Sequence, residues 1–441
     1  MTKGGAQGQA AVLPSALIVL DGLGDRPNPD AGGRNPVEAA ETPHLDRLAA
    51  QGELGEVSIL GPGVAPESDA GVLALLGYDP VRDSPGRGIL EAVGVEIPLR
   101  RGDVALRLNF ATIDRSGRVL DARVGRSLAT AEAHELARAV TEADLLADAG
   151  IHAEVRATVG HRGVLWLHRR SGEGLSPNVS NADPFYEKVG GMGQARRPSE
   201  PRLLAVEPLD ATPEAGRTAR ALNLFLERAA GVLARQPVNA ARARKGEREA
   251  TGLLVRNAGS LPEPPLEPFA QRHGRRGAAV TEMPVERGIA RLLGLEDRFV
   301  GPMGADKRAG YQDRAAITRE LLANFPFVYV HLKGPDEPGH DGDARRKREV
   351  IEEIDRGFFG PFLADLDLAA VRVAVTADHA TPCVLRGHSD DPVPWIVAGG
   401  RRSAVPAGRL PKFGAVPGAA PFPASEVLPR LFGPPVAAPR R

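Results

Sequence analysis

The sequence predicts an α/β fold, with a mostly parallel sheet covered by helices on both faces and a small inserted α+β domain. Three observations predict it. Short apolar runs alternate with helical stretches, which is the pattern of strands joined by crossover helices. Two of those runs end in Asp-Gly or Asp-His, at the carboxyl end of a strand, where such sheets keep their ligands. Between about residues 103 and 185 the alternation gives way to a β-β-α-β-β pattern. The expected division is a discontinuous core, 1–102 and 186–441, interrupted by an inserted domain, 103–185.

The elements follow in order. Residues 1–12 are rich in Gly, Ala and Gln and are expected to be disordered. Ala16 to Leu20 is a buried strand that ends in Asp21-Gly22. A helix runs from about Thr42 to Gln51, with Thr42 as N-cap, Pro43 in the first turn and Gly52 closing it. Ser68 precedes the apolar stretch Val72 to Leu76, which places it at a helix N-terminus, with Ser68 or Asp69 as the cap. Gly86-Arg87-Gly88 reads as a loop. VALRLNFATID pairs with RVLDARV, ATAEAHELARAVTEA is an amphipathic helix, and HAEVRATVG pairs with RGVLWLHRR. TARALNLFLERAAGVLARQ is a second amphipathic helix. TGLLVRN, AAVTEM, FVYVHLKG, VRVAVTADH and PWIVAGG are expected as strands of the main sheet, and the PPVAAPRR tail as frayed.

Composition excludes several function classes. The chain has 441 residues with 56 basic and 56 acidic side chains, so it has no overall field for nucleic acid or an anionic membrane. No apolar run is long enough to span a bilayer. The first apolar stretch runs directly into Asp21-Gly22 with no cleavage pattern, which argues against a signal peptide. A single cysteine, Cys383, excludes internal disulfides and fits a reducing cytoplasm. The expected partner is a small molecule, with no nucleic acid and no membrane, and the oligomeric state stays open.

Two segments late in the chain concentrate metal ligands. HLKGPDEPGHDGD places Asp336 and His340 four residues apart, on what reads as a loop. VAVTADHATPCVLRGHSDDPVP places Asp378, His379 and His388 after an apolar strand. Carboxylate oxygen with imidazole nitrogen is the ligand mixture of Zn2+ and Mn2+, and two sets suggest a two-metal site that clamps a phosphoryl group. Mg2+ and Co2+ are the other candidate ions. Ser68 suits such a site, because a metal on its hydroxyl would make it a nucleophile and the helix N-terminus would favour a phosphate. His331, one strand earlier, reads as a packed histidine.

Asp21, Ser68, Asp336, His340, Asp378, His379 and His388, in that order, resemble the alkaline phosphatase superfamily. Within it the chain is most similar to the archaeal-type cofactor-independent phosphoglycerate mutases. The resemblance runs through VLDGLGDRP, NPVEAAETPHLDRLAAQGELG, PESDAGVLALLGYDP, GRGILEA, GDVALRLNFATID, VGHRGVLWL, GEGLSPNVSNADP, LLVRNAG, HLKGPDEPGHDG and TADHATPC with GHSDDPVPW. It implies interconversion of 3- and 2-phosphoglycerate through a phosphoserine at Ser68, without 2,3-bisphosphoglycerate. It also implies that one ion takes Asp21, Ser68, Asp378 and His379, and the other Asp336, His340 and His388.

A phosphorylated acid substrate calls for arginine forks. Asn109, His161, Arg162 and Arg256 occupy family-like positions on or near the insertion. Arg87 is a further candidate, and His161 could also act as an acid or base to the substrate hydroxyls. The inserted domain is expected to close over the metal site. Three departures touch the substrate pocket. Arg287 stands where relatives often carry lysine, Asn181-Ala182-Asp183-Pro184 replaces an Asp-Thr-Asp-Pro, and the stretch after it, FYEKVGGMGQARRP, is also atypical. They keep open a same-fold mutase or phosphatase for a phosphonate or another phosphorylated hydroxy acid. A non-catalytic metal-binding scaffold is the reading from another class.

Overall fold

The computed structural model describes residues 13–171, 174–189, 192–196, 198–400, 411–414 and 420–433. The N-terminal stretch and the PPVAAPRR tail, expected as disordered and frayed, lie outside the described residues. The chain divides into two compact units. One is made of residues 1–79, 267–283 and 293–441, the other of 80–266 and 284–292. No helix among the described residues is long and apolar enough to cross a membrane.

The first unit is built on an eight-stranded sheet. Its strands, numbered in chain order, are β1 (Ser15–Leu20), β2 (Gly52–Ser58), β10 (Gly277–Thr281), β11 (Glu296–Phe299), β12 (Phe327–Leu332), β13 (Arg372–Thr376), β14 (Val393–Gly399) and β15 (Phe422–Pro423). They lie in the order β11-β10-β12-β1-β13-β14-β2-β15. The five strands from β11 to β13 are mutually parallel, and β14 runs antiparallel to both β13 and β2. Strands β1 and β12 are buried along their whole length. This explains their unbroken apolar runs, because helices cover both faces. β2, with the polar sequence GELGEVS and a mostly exposed or half-buried pattern, carries no such signal.

The second unit has its own antiparallel sheet. It is formed by β3 (Val104–Ile113), β4 (Val119–Asp121), β5 (Ile151–Ala157), β6 (Arg162–Arg169) and β9 (Gly252–Gly259). A separate hairpin joins β7 (Tyr186–Val189) and β8 (Met192–Ala195). β3 lies between β9 and β6 and is antiparallel to both. Leu106, Leu108 and Phe110 face a core shared with the helices Thr130–Glu142 and Pro213–Leu233. Ala105 faces the opposite side, where the helix Arg87–Gly94 packs with Ile89 and Ala92.

This corrects the placement of TGLLVRN. That segment is β9, which hydrogen-bonds β3 and does not join the parallel sheet. All eight of its residues are buried, so in sequence it is indistinguishable from a parallel strand covered on both faces. The compact unit that contains 103–185 is accordingly wider than that stretch. It gains the helix Arg87–Gly94, β9 and the helix Pro284–Leu292, which packs on Arg87–Gly94.

Candidate functional site

The parallel sheet delivers its chemistry at the carboxyl ends of three adjacent strands. Asp21 follows β1, Asp336 follows β12, and Asp378-His379 follow β13. Ser68 opens the helix Ser68–Leu75. The N-cap is Glu67, so neither Ser68 nor Asp69 is the cap, and both lie in the first turn. Asp336 and His340 sit on a short helix, Asp336–Asp341, and not on a loop; the i,i+4 spacing puts both on one face. Two glycines allow the pieces to meet. A Cβ at Gly71 would stand 2.2 Å from the Asp378 carbonyl oxygen, so the Ser68 helix touches the β13 loop backbone to backbone. Gly22 has φ +62°, and a Cβ there would stand 2.7 Å from Asp336 Oδ1.

The side chains converge. His379 Nε2 lies 3.4 Å from Ser68 Oγ, from Asp21 Oδ1 and from Asp378 Oδ2. His340 Nε2 and His388 Nε2 each lie 3.5 Å from an oxygen of Asp336. The rings of His379 and His388 stack at 3.8 Å between centroids. Hydrogen bonds orient these groups. The Thr381 hydroxyl donates to Asp336 Oδ1 at 2.6 Å and sits 3.1 Å from His379 Nδ1, so Nδ1–H donates to Thr381 and Nε2 keeps its lone pair. His388 Nδ1 donates to the Pro66 carbonyl at 2.8 Å, which turns its Nε2 toward Asp336. Gly22 N–H donates to Asp378 Oδ1 at 3.1 Å. Asp21 Oδ1 and Asp378 Oδ2 are buried and accept no hydrogen bond.

Burial pushes Asp21 up, but the Lys333 ammonium, 3.0 Å away, leads the neighbours that outweigh it, and the carboxyl is held well below its usual range. Burial pushes Asp378 up, with Asp21 adding to the effect. Burial lowers His388, yet Asp336 and Glu67 more than reverse this and raise it to about 10.

The second unit gathers a cluster of cations. Arg107 on β3 is the register partner of Arg256 on β9, and Asn109 is the partner of Arg162 on β6. Arg107 and Asn109, two residues apart, share the face covered by the helix Arg87–Gly94. That helix supplies Arg87 and Glu91, whose carboxylate accepts from Arg87 Nε at 3.0 Å and lies 3.6 Å from Arg107 Nε. Arg256 pairs with Asp183 at 2.6 Å and stands over the Tyr186 ring at 4.1 Å. Asn181 Oδ1 accepts the Asn257 N–H at 2.9 Å, so the altered Asn181–Pro184 segment walls this cluster. Burial, then Arg87 and Arg256, push Arg107 down to about 9. A guanidinium stays charged regardless, so this crowding is a standing cost that a bound anion would relieve. Arg107 Nε, Arg256 Nε, Asn109 Oδ1 and Asn257 Oδ1 are buried without hydrogen-bond partners. Burial and the nearby arginines push His161 down to about 3, which keeps it neutral.

The seven expected metal ligands thus come together in one unit, and Arg87, Asn109, His161, Arg162 and Arg256 belong to the other. Arg287 does not join the arginines. It donates to the Gly94 carbonyl and pairs with Glu96, at the far end of the helix that begins with Arg87. Sequence reasoning gave no site role to Arg107, Glu91, Thr381 and Lys333, and named Asp183 only as part of an altered segment. Period-two alternation in VALRLNFAT could have placed Arg107 beside Asn109. His331, read as packed, lies with Asp21 and Asp378 in a group whose ligand atoms are within 4.8 Å of one another; Asp336, His379 and His388 form a second such group.

Fold and site together define an α/β enzyme with a carboxylate–imidazole centre at the carboxyl ends of its parallel strands. A family model described as 2,3-bisphosphoglycerate-independent phosphoglycerate mutase matches residues 49–239. A protein of that name from Aeropyrum pernix is 46% identical over 86% of this chain and 89% of its own. Another from Methanopyrus kandleri is 40% identical over 88% and 89%. The solved cofactor-independent phosphoglycerate mutase from Thermoplasma acidophilum superposes with a TM-score of 0.60 at 31% identity, covering 95% of this chain and 98% of that one. The chain belongs to the 2,3-bisphosphoglycerate-independent phosphoglycerate mutases.

Proposed function

We propose that the protein interconverts 3-phosphoglycerate and 2-phosphoglycerate, in glycolysis and gluconeogenesis, with Ser68 carrying the phosphoryl group between the two hydroxyls. Family membership supports the overall reaction. The observation that carries the intermediate is the position of Ser68 Oγ in the first turn of its helix, 3.4 Å from His379 Nε2, which itself lies 3.4 Å from Asp21 Oδ1 and Asp378 Oδ2.

Two divalent ions, Mn2+ or Zn2+, fit the donor set. Asp21, Ser68, Asp378 and His379 would hold one, and Asp336, His340 and His388 the other. The unsatisfied oxygens Asp21 Oδ1 and Asp378 Oδ2 support this. When bound, such ions lower the pKa of a hydroxyl and offset the charge of a phosphoryl group in transfer.

The chain's own residues do the rest. Ser68 Oγ attacks phosphorus, and the bond from phosphorus to the glycerate oxygen breaks. The positive end of the helix dipole favours the new phosphoserine. Arg87, Arg107, Arg162, Arg256 and Asn109 are suited to the substrate's anionic groups, and neutral His161 is suited to a hydroxyl. The second glycerate hydroxyl then attacks phospho-Ser68 and takes the phosphoryl group. This requires a dry cleft, since water would otherwise hydrolyse it.

A coupled assay tests the proposal. Conversion of 3- to 2-phosphoglycerate should proceed with no added 2,3-bisphosphoglycerate, stop on chelation, and return with Mn2+ or Zn2+. A chelated, metal-free protein with undiminished turnover would contradict it.

A further inference from the structure

His331 lies in β12, opposite Val19 of β1, and is fully buried. Its Nδ1 is 2.6 Å from the Tyr329 hydroxyl. Its Nε2 is 3.8 Å from Asp21 Oδ1 and 3.8 Å from Asp378 Oδ2, the two buried oxygens that accept no hydrogen bond. The Lys333 ammonium stands 3.4 Å from the same Nε2. An ammonium offers only protons, so Nε2 is the ring's lone-pair nitrogen and Nδ1–H donates to the Tyr329 oxygen. His331 therefore points a lone pair at two carboxylate oxygens. That arrangement is repulsive on its own, and 3.8 Å is too long for a hydrogen bond.

A cation resolves it. Ligand atoms that each sit about 2.0–2.2 Å from one ion lie roughly 3–4 Å from each other. Lys333 holds Asp21 Oδ2 at 3.0 Å, which leaves Oδ1 for the ion. The Tyr329–His331 contact repeats the Thr381–His379 contact, with a hydroxyl engaging Nδ1 and Nε2 turned to the carboxylates. Orienting partners of this kind accompany metal-bound histidines.

We propose that His331 is a ligand of the ion held by Asp21 and Asp378, with Tyr329 fixing its tautomer. The inference rests on the reading that these carboxylates bind a divalent cation, and it adds a strand histidine to the set expected from the sequence.

The test uses the full chain, chelated and then titrated with Co2+ alone, followed by calorimetry and visible absorption. The wild type should bind two ions. His331→Ala should weaken one of them by more than the roughly 10–100-fold that loss of an orienting partner costs and change its absorption, while the other binds as before. Tyr329→Phe should weaken the same ion to a smaller degree. Two ions bound by His331→Ala with wild-type affinity and spectrum would overturn the inference and leave the proposed function standing. A wild type that binds no ion would overturn both. Should His331→Ala fail to fold, proton NMR of Co2+-loaded wild type decides. A strongly shifted, slowly exchanging ring N–H that moves in Tyr329→Phe supports the assignment, and its absence refutes it.

Discussion

The Thr381 hydroxyl donates to Asp336 at 2.6 Å while facing His379 Nδ1 at 3.1 Å. One side chain thus orients a carboxylate and an imidazole that the family resemblance assigns to different ions. Thr381→Val keeps the shape and removes both hydrogen bonds. It should lower metal affinity about 10–100-fold, as loss of an orienting partner does, with a parallel loss of turnover. Calorimetric metal titration checks this, and unchanged affinity would assign Thr381 a packing role only.

Gly71 brings the Ser68 helix against the Asp378 backbone. A methyl group there would lie 2.2 Å from a carbonyl oxygen, so the helix must move away. Gly71→Ala should destabilise the fold by about 1–3 kcal/mol. Turnover should fall further than that destabilisation implies, because Ser68 is displaced from His379. Denaturant unfolding and kinetics on the same preparation separate the two effects.

His388 provides a pH signature. In the metal-free protein it is raised from 6.5 to about 10, chiefly by Asp336 and Glu67 working against burial. A raised histidine contributes stability that is fully present below about pH 6.5 and is lost as pH climbs toward 10. The chelated wild type should lose stability across that window, and chelated His388→Gln should lose less. Metal uptake near neutral pH should release the His388 proton, so affinity should rise with pH. Titrations in buffers of different ionisation enthalpy would show the proton; identical heats in all buffers would contradict its release.

Arg107 sits in a pocket that repels it. Arg107→Met removes a buried cation crowded by Arg87 and Arg256, while Arg87 still holds Glu91. KM for phosphoglycerate should rise on the order of 10–100-fold, the loss of one charge-assisted hydrogen bond. Stability should stay level or increase, the usual trade at a site built for a ligand. An unchanged KM would remove Arg107 from the substrate contacts.

What the sequence made legible was the strand-end chemistry. Asp21, Asp336 and Asp378-His379 stand out jointly, because carboxylates and imidazoles recur after the apolar runs, whereas a lone Asp-Gly would read as a turn. The parallel core followed from the same runs. β9 was misplaced because a strand buried on both faces looks alike in either sheet. His331 was hidden for a related reason. Its significance depends on the register with Val19 and on which ring nitrogen Tyr329 engages, and neither leaves a mark in a linear pattern. Arg287 looked like a pocket residue by position, but its partners Gly94 and Glu96 are visible only once two helices are packed together.

The central claim is a phosphoryl group carried by Ser68. Enzyme quenched during turnover of 3-phosphoglycerate and digested for mass spectrometry tests it most directly. The predicted result is a phosphate on Ser68, none on Asp69, and neither the modified peptide nor turnover in Ser68→Ala. Phosphate on another residue, or mutase activity in Ser68→Ala, would contradict the account.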